Sequence, residues 1–334
     1  VKDDEQTQGT KYTVKYTIEG VEQTVDELTV TGTAWVNDNP AKIAIAEGGI
    51  PTPADKYEGY KLDESNPEYP EAGELVNSGS EYTVNYVPRT DITYIVKYLW
   101  TDGQGSGTAI EGVKDKVVED QTFNSVVKES PIEIPGYTAI NSGEVEVRLD
   151  SLNKVITFLY YKNVTLVANG DTVDYDGTEH SVSGFTGAPE DADFSSVQVG
   201  TTGTNVGSYD AKFAATTKGE TDKTGRYYIV DTQDATLVVN PVEIHVVTDG
   251  DSKVYDGQPL TAGGRVEGLV NGETATVTTT GSQTEVGSSD NTYGDIAWGN
   301  TDPNNYVHNT GKDELGTLTV TPKSIDEIPN VEKQ

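Results

Sequence analysis

Val173-Asp174-Tyr175-Asp176-Gly177 is followed 80 positions later by Lys253-Val254-Tyr255-Asp256-Gly257, and this repeated stretch decides the fold of the second half of the chain. Other landmarks recur in the same order: 205–208 with 285–288, 226–228 with 305–306, and 236–241 with 317–322. A repeat of about 80 residues has the size of a small domain and is longer than a solenoid unit. The second half is therefore predicted to be a tandem pair of small domains.

The first half repeats as well, with different motifs. Tyr12-x-Val14-x-Tyr16 returns as Tyr94-x-Val96-x-Tyr98, and Tyr82-x-Val84-x-Tyr86 corresponds to Ile156-x-Phe158-x-Tyr160. Gly59-Tyr60 returns as Gly136-Tyr137. Alternation of apolar and polar residues with a period of two predicts β-strands with one buried face.

These repeats predict a mostly β chain of four tandem modules, each β-grasp-like or β-sandwich-like. The predicted segments are a leader at 1–9, module one at 10–89, module two at 90–163, module three at 164–241, module four at 242–322 and a tail at 323–334. The joints between modules are short and are not rich in Gly and Ser, which favours an extended, stiff rod.

Two local signals refine this prediction. Asp38-Asn39-Pro40 precedes helix-forming residues, and Gly48-Gly49 follows them, so one short helix is expected around 40–47. Asn271-Gly272 lies between two alternating stretches and predicts a two-residue hairpin turn.

Composition limits the classes of function. The 334 residues contain 23 Lys and Arg against 55 Asp and Glu, for a formal net charge of −32. Such a field repels nucleic acids and anionic membranes, so neither is an expected partner, and it favours a soluble monomer. The chain has no Cys, which excludes disulfides and thiol chemistry. No run approaches the ~20 apolar residues of a membrane-spanning helix.

Catalytic patterns are weak, and we predict that the chain is not an enzyme. Its histidines, His180, His245 and His308, have no second histidine at metal-ligand spacing. Carboxylates crowd the two Tyr-Asp-Gly turns, and calcium is the one cofactor that they suggest. The candidate calcium ligands are Asp171, Asp174, Asp176, Asp251 and Asp256. The alternative, which we favour, is that these aspartates cap their own β-turns.

The bias of 19 Tyr against 5 Phe suggests carbohydrate binding, because Tyr combines a flat apolar face with a hydroxyl. The aromatic residues predicted to lie in loops or near a glycine-rich tip are the ligand-binding candidates: Tyr57, Tyr60, Tyr69 and Trp100. Packing in the core or at its rim is the competing interpretation. An internal Lys–Asn isopeptide bond is disfavoured, because Lys15 and Lys97 alternate with the apolar positions of their strands.

The Tyr-x-Val-x-Tyr strands, the mid-module Gly-Tyr and the final aromatic strand Phe158-Leu159-Tyr160-Tyr161 resemble the MucBP-type modules of Gram-positive surface adhesins. The second half is similar to the Tyr-Asp-Gly (MBG-type) repeats of long bacterial surface proteins. These resemblances imply β modules in a cell-wall-attached, extracellular protein, and sometimes adhesion to mucin or glycan.

The predicted function is therefore that of a non-catalytic adhesin fragment, anchored through sequence outside this chain. Modules one and two would bind a host mucin or glycan, and modules three and four would form a stalk. Two alternatives remain open: a purely structural spacer of a surface protein, and an accessory region of a secreted glycan-degrading enzyme.

Overall fold

A computed structural model describes residues 8–23 and 26–324. The chain divides into two compact units, Val1–Lys162 and Asn163–Gln334. This division falls where the sequence predicts the change of module type, so each unit holds two of the predicted modules. The predicted leader at 1–9 and tail at 323–334 lie largely outside the described residues.

Module one consists of short strands around an aromatic core. Its strands are β1 (Gln8–Ile18), β2 (Val21–Glu22), β3 (Leu28–Ala34), β4 (Lys42–Ala44), β5 (Tyr60–Leu62), β6 (Leu75–Asn77) and β7 (Glu81–Pro88). The main sheet has β1 parallel to β7, with β3 antiparallel to β1 and β5 antiparallel to β7. A second, two-stranded sheet pairs β4 with β6.

Module two repeats this topology. Its strands are β8 (Ile92–Thr101), β9 (Gly107–Ala109), β10 (Lys116–Gln121), β11 (Val126–Glu129), β12 (Tyr137–Ala139), β13 (Val145–Arg148) and β14 (Asn153–Ala168). Strand β8 is parallel to β14, β10 is antiparallel to β8, and β12 is antiparallel to β14. A second sheet pairs β11 with β13.

The register of the parallel strands is the same in modules one and two. Val14 faces Tyr82 in module one, and Val96 faces Ile156 in module two. Even a side-chain contact recurs: the hydroxyl of Tyr86 donates to the carbonyl of Pro53 at 2.6 Å, and Tyr160 donates to Ile132 at 2.9 Å.

Module three is built around a parallel pair of strands. Besides the end of β14, its strands are β15 (Asp171–Asp174), β16 (His180–Ser183), β17 (Phe185–Thr186), β18 (Gly200–Gly203), β19 (Gly207–Ala211), β20 (Tyr227–Gln233) and β21 (Ala235–Asn240). Strand β21 lies between β15, which is parallel to it, and β19, which is antiparallel.

Module four has the same central arrangement. Its strands are β22 (Val242–Thr248), β23 (Asp251–Val254), β24 (Gly264–Glu267), β25 (Ala275–Thr279), β26 (Gly287–Asp290), β27 (Tyr293–Trp298), β28 (Tyr306–His308) and β29 (Thr317–Thr321). Strand β29 lies between the parallel β23 and the antiparallel β26. Asp171 faces Leu237 in module three and Asp251 faces Leu318 in module four, so residues at corresponding positions of the two sequences have the same strand register.

The helix predicted around 40–47 is wrong, because residues 42–44 form the strand β4. Ala41, Ile43 and Ile45 are buried, whereas Lys42 and Ala44 are exposed. This burial has the period of two that a strand requires, and packing of the isoleucines against the core outweighs local helix propensity. In the described part of the chain the helical segments are short 3-10 turns, including Pro303–Asn305 and Thr310–Lys312.

The Asn271-Gly272 turn forms, but it does not join two paired strands. Asn271 and Gly272 have φ of 51° and 71°, and Glu273 N donates to Val270 O at 3.0 Å, as a two-residue hairpin turn requires. The flanking strands pair elsewhere: β24 with β22, and β25 with β27. The turn was therefore predicted correctly, and the hairpin pairing was not.

Within residues 8–23 and 26–324, no helix has the length and hydropathy needed to span a membrane.

Candidate functional site

Tyr57, one of the predicted ligand-binding aromatics, is half-buried and committed to internal contacts. Its hydroxyl donates to Asp26 Oδ2 at 2.7 Å, and its ring packs edge-on against Tyr86 at a centroid distance of 5.1 Å. Burial and the hydrogen bond to Asp26 raise the pKa of the Tyr57 hydroxyl far above its ordinary value of 10.0. Tyr57 thus stabilises the loop that follows Pro53.

Tyr69 and Tyr60 are placed in a similar way. The Tyr69 hydroxyl donates to Thr83 O at 2.6 Å, and both rings pack against the core of module one. Tyr60 also packs against the core of module two, edge-on to Phe123 at 5.2 Å. The Tyr60 hydroxyl accepts a 3.3 Å hydrogen bond from Asn124 Nδ2. The competing interpretation, packing at the core rim, describes these side chains.

Trp100 lies in β8 and packs against the core of module two. The ammonium of Lys162 is 5.8 Å from the centre of its ring, within the range of a cation–π contact. The structure therefore does not bring the four predicted aromatics together into one open surface.

Trp35 is an exposed aromatic that the sequence reasoning missed. Its side chain is 44% exposed and follows β3, next to Val36, which is 55% exposed. The segment turns immediately afterwards, since Asp38 N donates to Trp35 O at 3.0 Å. An available signal was the position of this Trp just before Asn37-Asp38-Asn39-Pro40, a composition typical of an exposed loop.

The two Tyr-Asp-Gly turns have the same geometry. Asp176 Oδ1 accepts from Thr178 N at 2.8 Å, and Asp256 Oδ1 accepts from Gln258 N at 2.9 Å. The glycines that follow have φ of 77° at Gly177 and 76° at Gly257, a region that favours glycine. Each Asp caps its own backbone, which is the interpretation that we favoured from the sequence.

The other candidate calcium ligands have partners nearby. Asp171 and Asp251 each accept from the backbone N–H of the next residue, and Asp174 accepts from Asn240 Nδ2 at 3.4 Å. Asp256 also pairs with Lys253 at 2.8 Å. In the described ranges, no group of three or more His, Cys, Asp or Glu side chains is placed to hold a metal ion.

Modules three and four meet at a carboxylate that accepts from two tyrosines. The hydroxyl of Tyr175 donates to Glu273 Oε1, and that of Tyr306 donates to Glu273 Oε2 at 2.9 Å. The two rings pack edge-on at 5.6 Å, and both belong to one core cluster with residues of both modules. Burial, with the hydrogen bond to Glu273, raises the pKa of the Tyr175 hydroxyl to about 12.

An asparagine pair continues this joint. Asn305, which is 1% exposed, accepts from Val206 N at 2.9 Å and donates to Asn205 Oδ1 at 3.1 Å. Asn271 Nδ2 donates to Gly177 O at 2.8 Å. The motif positions noticed in the sequence, the Tyr-Asp-Gly turn and residues 205–208, are thus positions of contact between modules.

Two buried carboxylates organise single modules. Burial alone would raise the pKa of Asp222, but hydrogen bonds from Thr224 and from backbone N–H groups hold it below its ordinary value of 3.8. Burial likewise opposes ionisation of Glu129, but Lys116 and Tyr94 hold its pKa below 4.5. Both carboxylates stabilise the folded chain as anions, because their hydrogen bonds hold side chains and backbone of the same module in place.

No family model matches the chain, and no curated protein matches it. Among solved structures, the type 2 repeat of the mucus binding protein MUB from Lactobacillus reuteri is 15% identical over 46% of this chain and 99% of its own, with a TM-score of 0.16. The structure described as Mub-RV has the same identity, score and coverage of this chain, with 98% of its own length covered. The Bacillus anthracis TIE protein is 9% identical over 96% of this chain and 66% of its own, with a TM-score of 0.26. Similarities this weak do not establish the function of the chain.

Proposed function

We propose that the chain is a non-catalytic segment of an extracellular, wall-attached adhesin of the Gram-positive type. The observation that carries this proposal is the repetition of β modules in two pairs, with the change of topology at Lys162 and Asn163. Tandem copies of one small fold extend a surface and display it, whereas catalysis needs one specialised cleft. The first unit is the binding part, and the second unit is the stalk. The Tyr-Asp-Gly motif alone supports the MBG-type assignment of the second unit.

The ligand class that we propose is a host mucin or other glycan, in line with the MucBP-like motifs of modules one and two. Trp35 is the best placed side chain for this role, because it is 44% exposed and an indole ring can stack on a sugar ring. A net charge of −32 repels anionic mucin, so binding requires an uncharged spot on the surface. Trp35 and Val36 are exposed side chains without charge.

Binding of the full chain to immobilised mucin and to a neutral glycan panel tests this proposal. We expect saturable binding that Trp35→Ala weakens by at least about tenfold, the scale of one lost anchor residue. Val307→Ala is the matched control, because Val307 is 48% exposed on module four. Equal binding by wild type and Trp35→Ala would remove Trp35 from the site.

A structural spacer is the second candidate, and one observation favours it. Tyr57, Tyr60, Tyr69 and Trp100 are all partly buried against module cores. If neither mucin nor any glycan binds the wild-type chain, the spacer is the better account of all four modules.

A further inference from the structure

Module three presents a face that module four covers, here called the docking face. It consists of Tyr175, Gly177, Asn205 and Val206, whose contacts with module four are described above. Tyr175 is only 4% exposed as a result of this packing. The docking face therefore recognises its neighbour through a tyrosine hydroxyl donor, a turn carbonyl, a side-chain oxygen and a backbone N–H.

Module four carries the equivalent face, and within residues 8–23 and 26–324 no further module covers it. The repeat places Tyr255, Gly257, Glu285 and Val286 at the corresponding positions. Val286 is 51% exposed, and no atom of the described part of the chain lies within 4 Å of the place where a Cβ on Gly257 would stand. At Gly177 the same position is 2.4 Å from Asn271 Cβ.

The hydrogen-bonding chemistry of this face is preserved. Tyr255 keeps the hydroxyl donor, Gly257 keeps the turn carbonyl, and Val286 keeps the backbone donor. Glu285 replaces Asn205, and a carboxylate oxygen accepts from an asparagine amide at least as well as an amide oxygen does. Tyr255 and Glu285 thus offer side-chain groups of the kind with which Tyr175 and Asn205 of module three contact module four.

The chain also leaves modules three and four at equivalent positions, next to their Tyr-Asp-Gly turns. Tyr175 N donates to Asn240 O at 2.9 Å, and Pro241 follows before module four begins. Tyr255 N donates to Thr321 O at 2.9 Å, and Pro322 follows. The chain therefore leaves module four at the position, relative to the Tyr-Asp-Gly turn, at which it leaves module three.

We propose that the face formed by Tyr255, Gly257, Glu285 and Val286 is a docking site for one further module of the same kind, C-terminal to module four. The occupant carries residues equivalent to Asn271, Glu273 and Asn305. It packs on module four as module four packs on module three. The second unit is thus a stack whose interface can be repeated.

A chain extended by one module tests this proposal. A copy of residues 242–322 is inserted between Pro322 and Lys323 of the full chain, and amide hydrogen exchange is compared with that of the original chain. We expect the Val286 N–H to exchange at least about tenfold more slowly in the extended chain, because docking buries it as it buries the Val206 N–H. Tyr255→Phe should reverse part of this protection in the extended chain and leave the original chain unchanged.

Three results would overturn the proposal. One is an added module that folds while Val286 exchange stays the same. Another is an added module that does not fold, because the same sequence folds after Pro241. The fluorescence of its copy of Trp298 reports whether the added module is folded. The third is concentration-dependent protection of Val286 in the original chain, which would make a second copy of the chain the occupant.

Discussion

The joint inside the first unit and the joint inside the second unit are built from different interactions. In the first, Phe123 of module two packs against Gly59 and edge-on against Tyr60 of module one, and its N–H donates to Arg89 O at 2.8 Å. In the second, Glu273 accepts from two tyrosines, and asparagine amides cross between modules. One joint depends on an apolar side chain, and the other depends on a charged acceptor.

A shared feature underlies both joints. In each unit the glycine of the first module lies against the second module. A Cβ on the equivalent glycine of the second module would have no atom of the described residues within 4 Å. Gly59 and Gly136 have φ of 81° and 80°, and Gly177 and Gly257 have φ of 77° and 76°. The chain therefore contains two pairs of equivalent glycines, Gly59 with Gly136 and Gly177 with Gly257. Within each pair the φ angle is nearly the same, and the contact with a neighbouring module differs.

The largest expected effect is that of Phe123→Ala. Phe123 is 8% exposed and belongs to the core of module two, so its truncation should destabilise the first unit by about 3–5 kcal/mol. Hydrogen exchange resolved by unit is the measurement, with residues 163–324 as the internal reference. Equal acceleration in both units would show that the two units do not unfold separately.

Gly59→Ala against Gly136→Ala isolates the apolar contact. Both substitutions place an alanine at positive φ, which costs about 1 kcal/mol. Only at Gly59 does the new Cβ lie 2.3 Å from the Phe123 ring, which should add about 1–3 kcal/mol. Urea unfolding gives the difference, and equal costs would mean that the Phe123 ring moves aside freely. Gly177→Ala against Gly257→Ala repeats the comparison for the second unit.

Tyr175→Phe tests the polar joint. Loss of a hydrogen bond to the Glu273 carboxylate should destabilise the second unit by about 1.5–3 kcal/mol. Tyr60→Phe is the counterpart in the first unit and removes one 3.3 Å hydrogen bond, so a cost below about 1 kcal/mol is expected. Thermal unfolding with unit-resolved exchange distinguishes the two, and a reversed order would contradict the comparison.

Asp222→Asn examines whether charged acceptors also stabilise the interior of the second unit. Because the pKa of Asp222 is lower in the folded state, its contribution is fully present above its ordinary value of 3.8 and is lost as pH falls through the folded value. We expect a cost of about 1–3 kcal/mol at pH 7 that shrinks below pH 4. A cost independent of pH would assign the effect to packing alone.

The smallest expected effect is that of calcium. Because the candidate aspartates already accept hydrogen bonds from their own turns or pair with nearby side chains, we expect no change in Tm when millimolar calcium is added after chelation. A ligand that bound only the folded state would raise Tm with its concentration. Such a rise in the second unit would revive the calcium hypothesis.

The sequence predicted the parts of this fold that are set by local pattern. Alternation predicted β1, β7, β8 and β14, and the spacing of the repeats predicted the correspondence between modules. The helix expected around 40–47 was wrong. The prediction gave more weight to Asn39-Pro40 and the helix-forming residues than to the alternation of Ala41, Ile43 and Ile45. Local propensity is a weak guide where side chains pack against a core.

The contacts of the candidate site could not be predicted in the same way. The partner of Tyr57 is Asp26, and Phe123 meets Gly59, so each contact joins residues that are distant in the chain. The local sequence pattern does not distinguish Tyr69, whose hydroxyl donates to Thr83 O, from Trp35, which is 44% exposed. Only the packing of the module decides which aromatics remain on the surface.

The parallel pairs β1–β7 and β8–β14, which join the first and last strands of modules one and two, have a mechanical consequence. When a module is pulled by its two ends, parallel strands are drawn in opposite directions along their axes. The hydrogen bonds of the ladder then bear the load together, whereas antiparallel terminal strands would open one bond at a time. The β1–β7 pair has six facing residue pairs, and the β8–β14 pair has eight. Under tension, therefore, module one lengthens first and absorbs the pull before module two gives way.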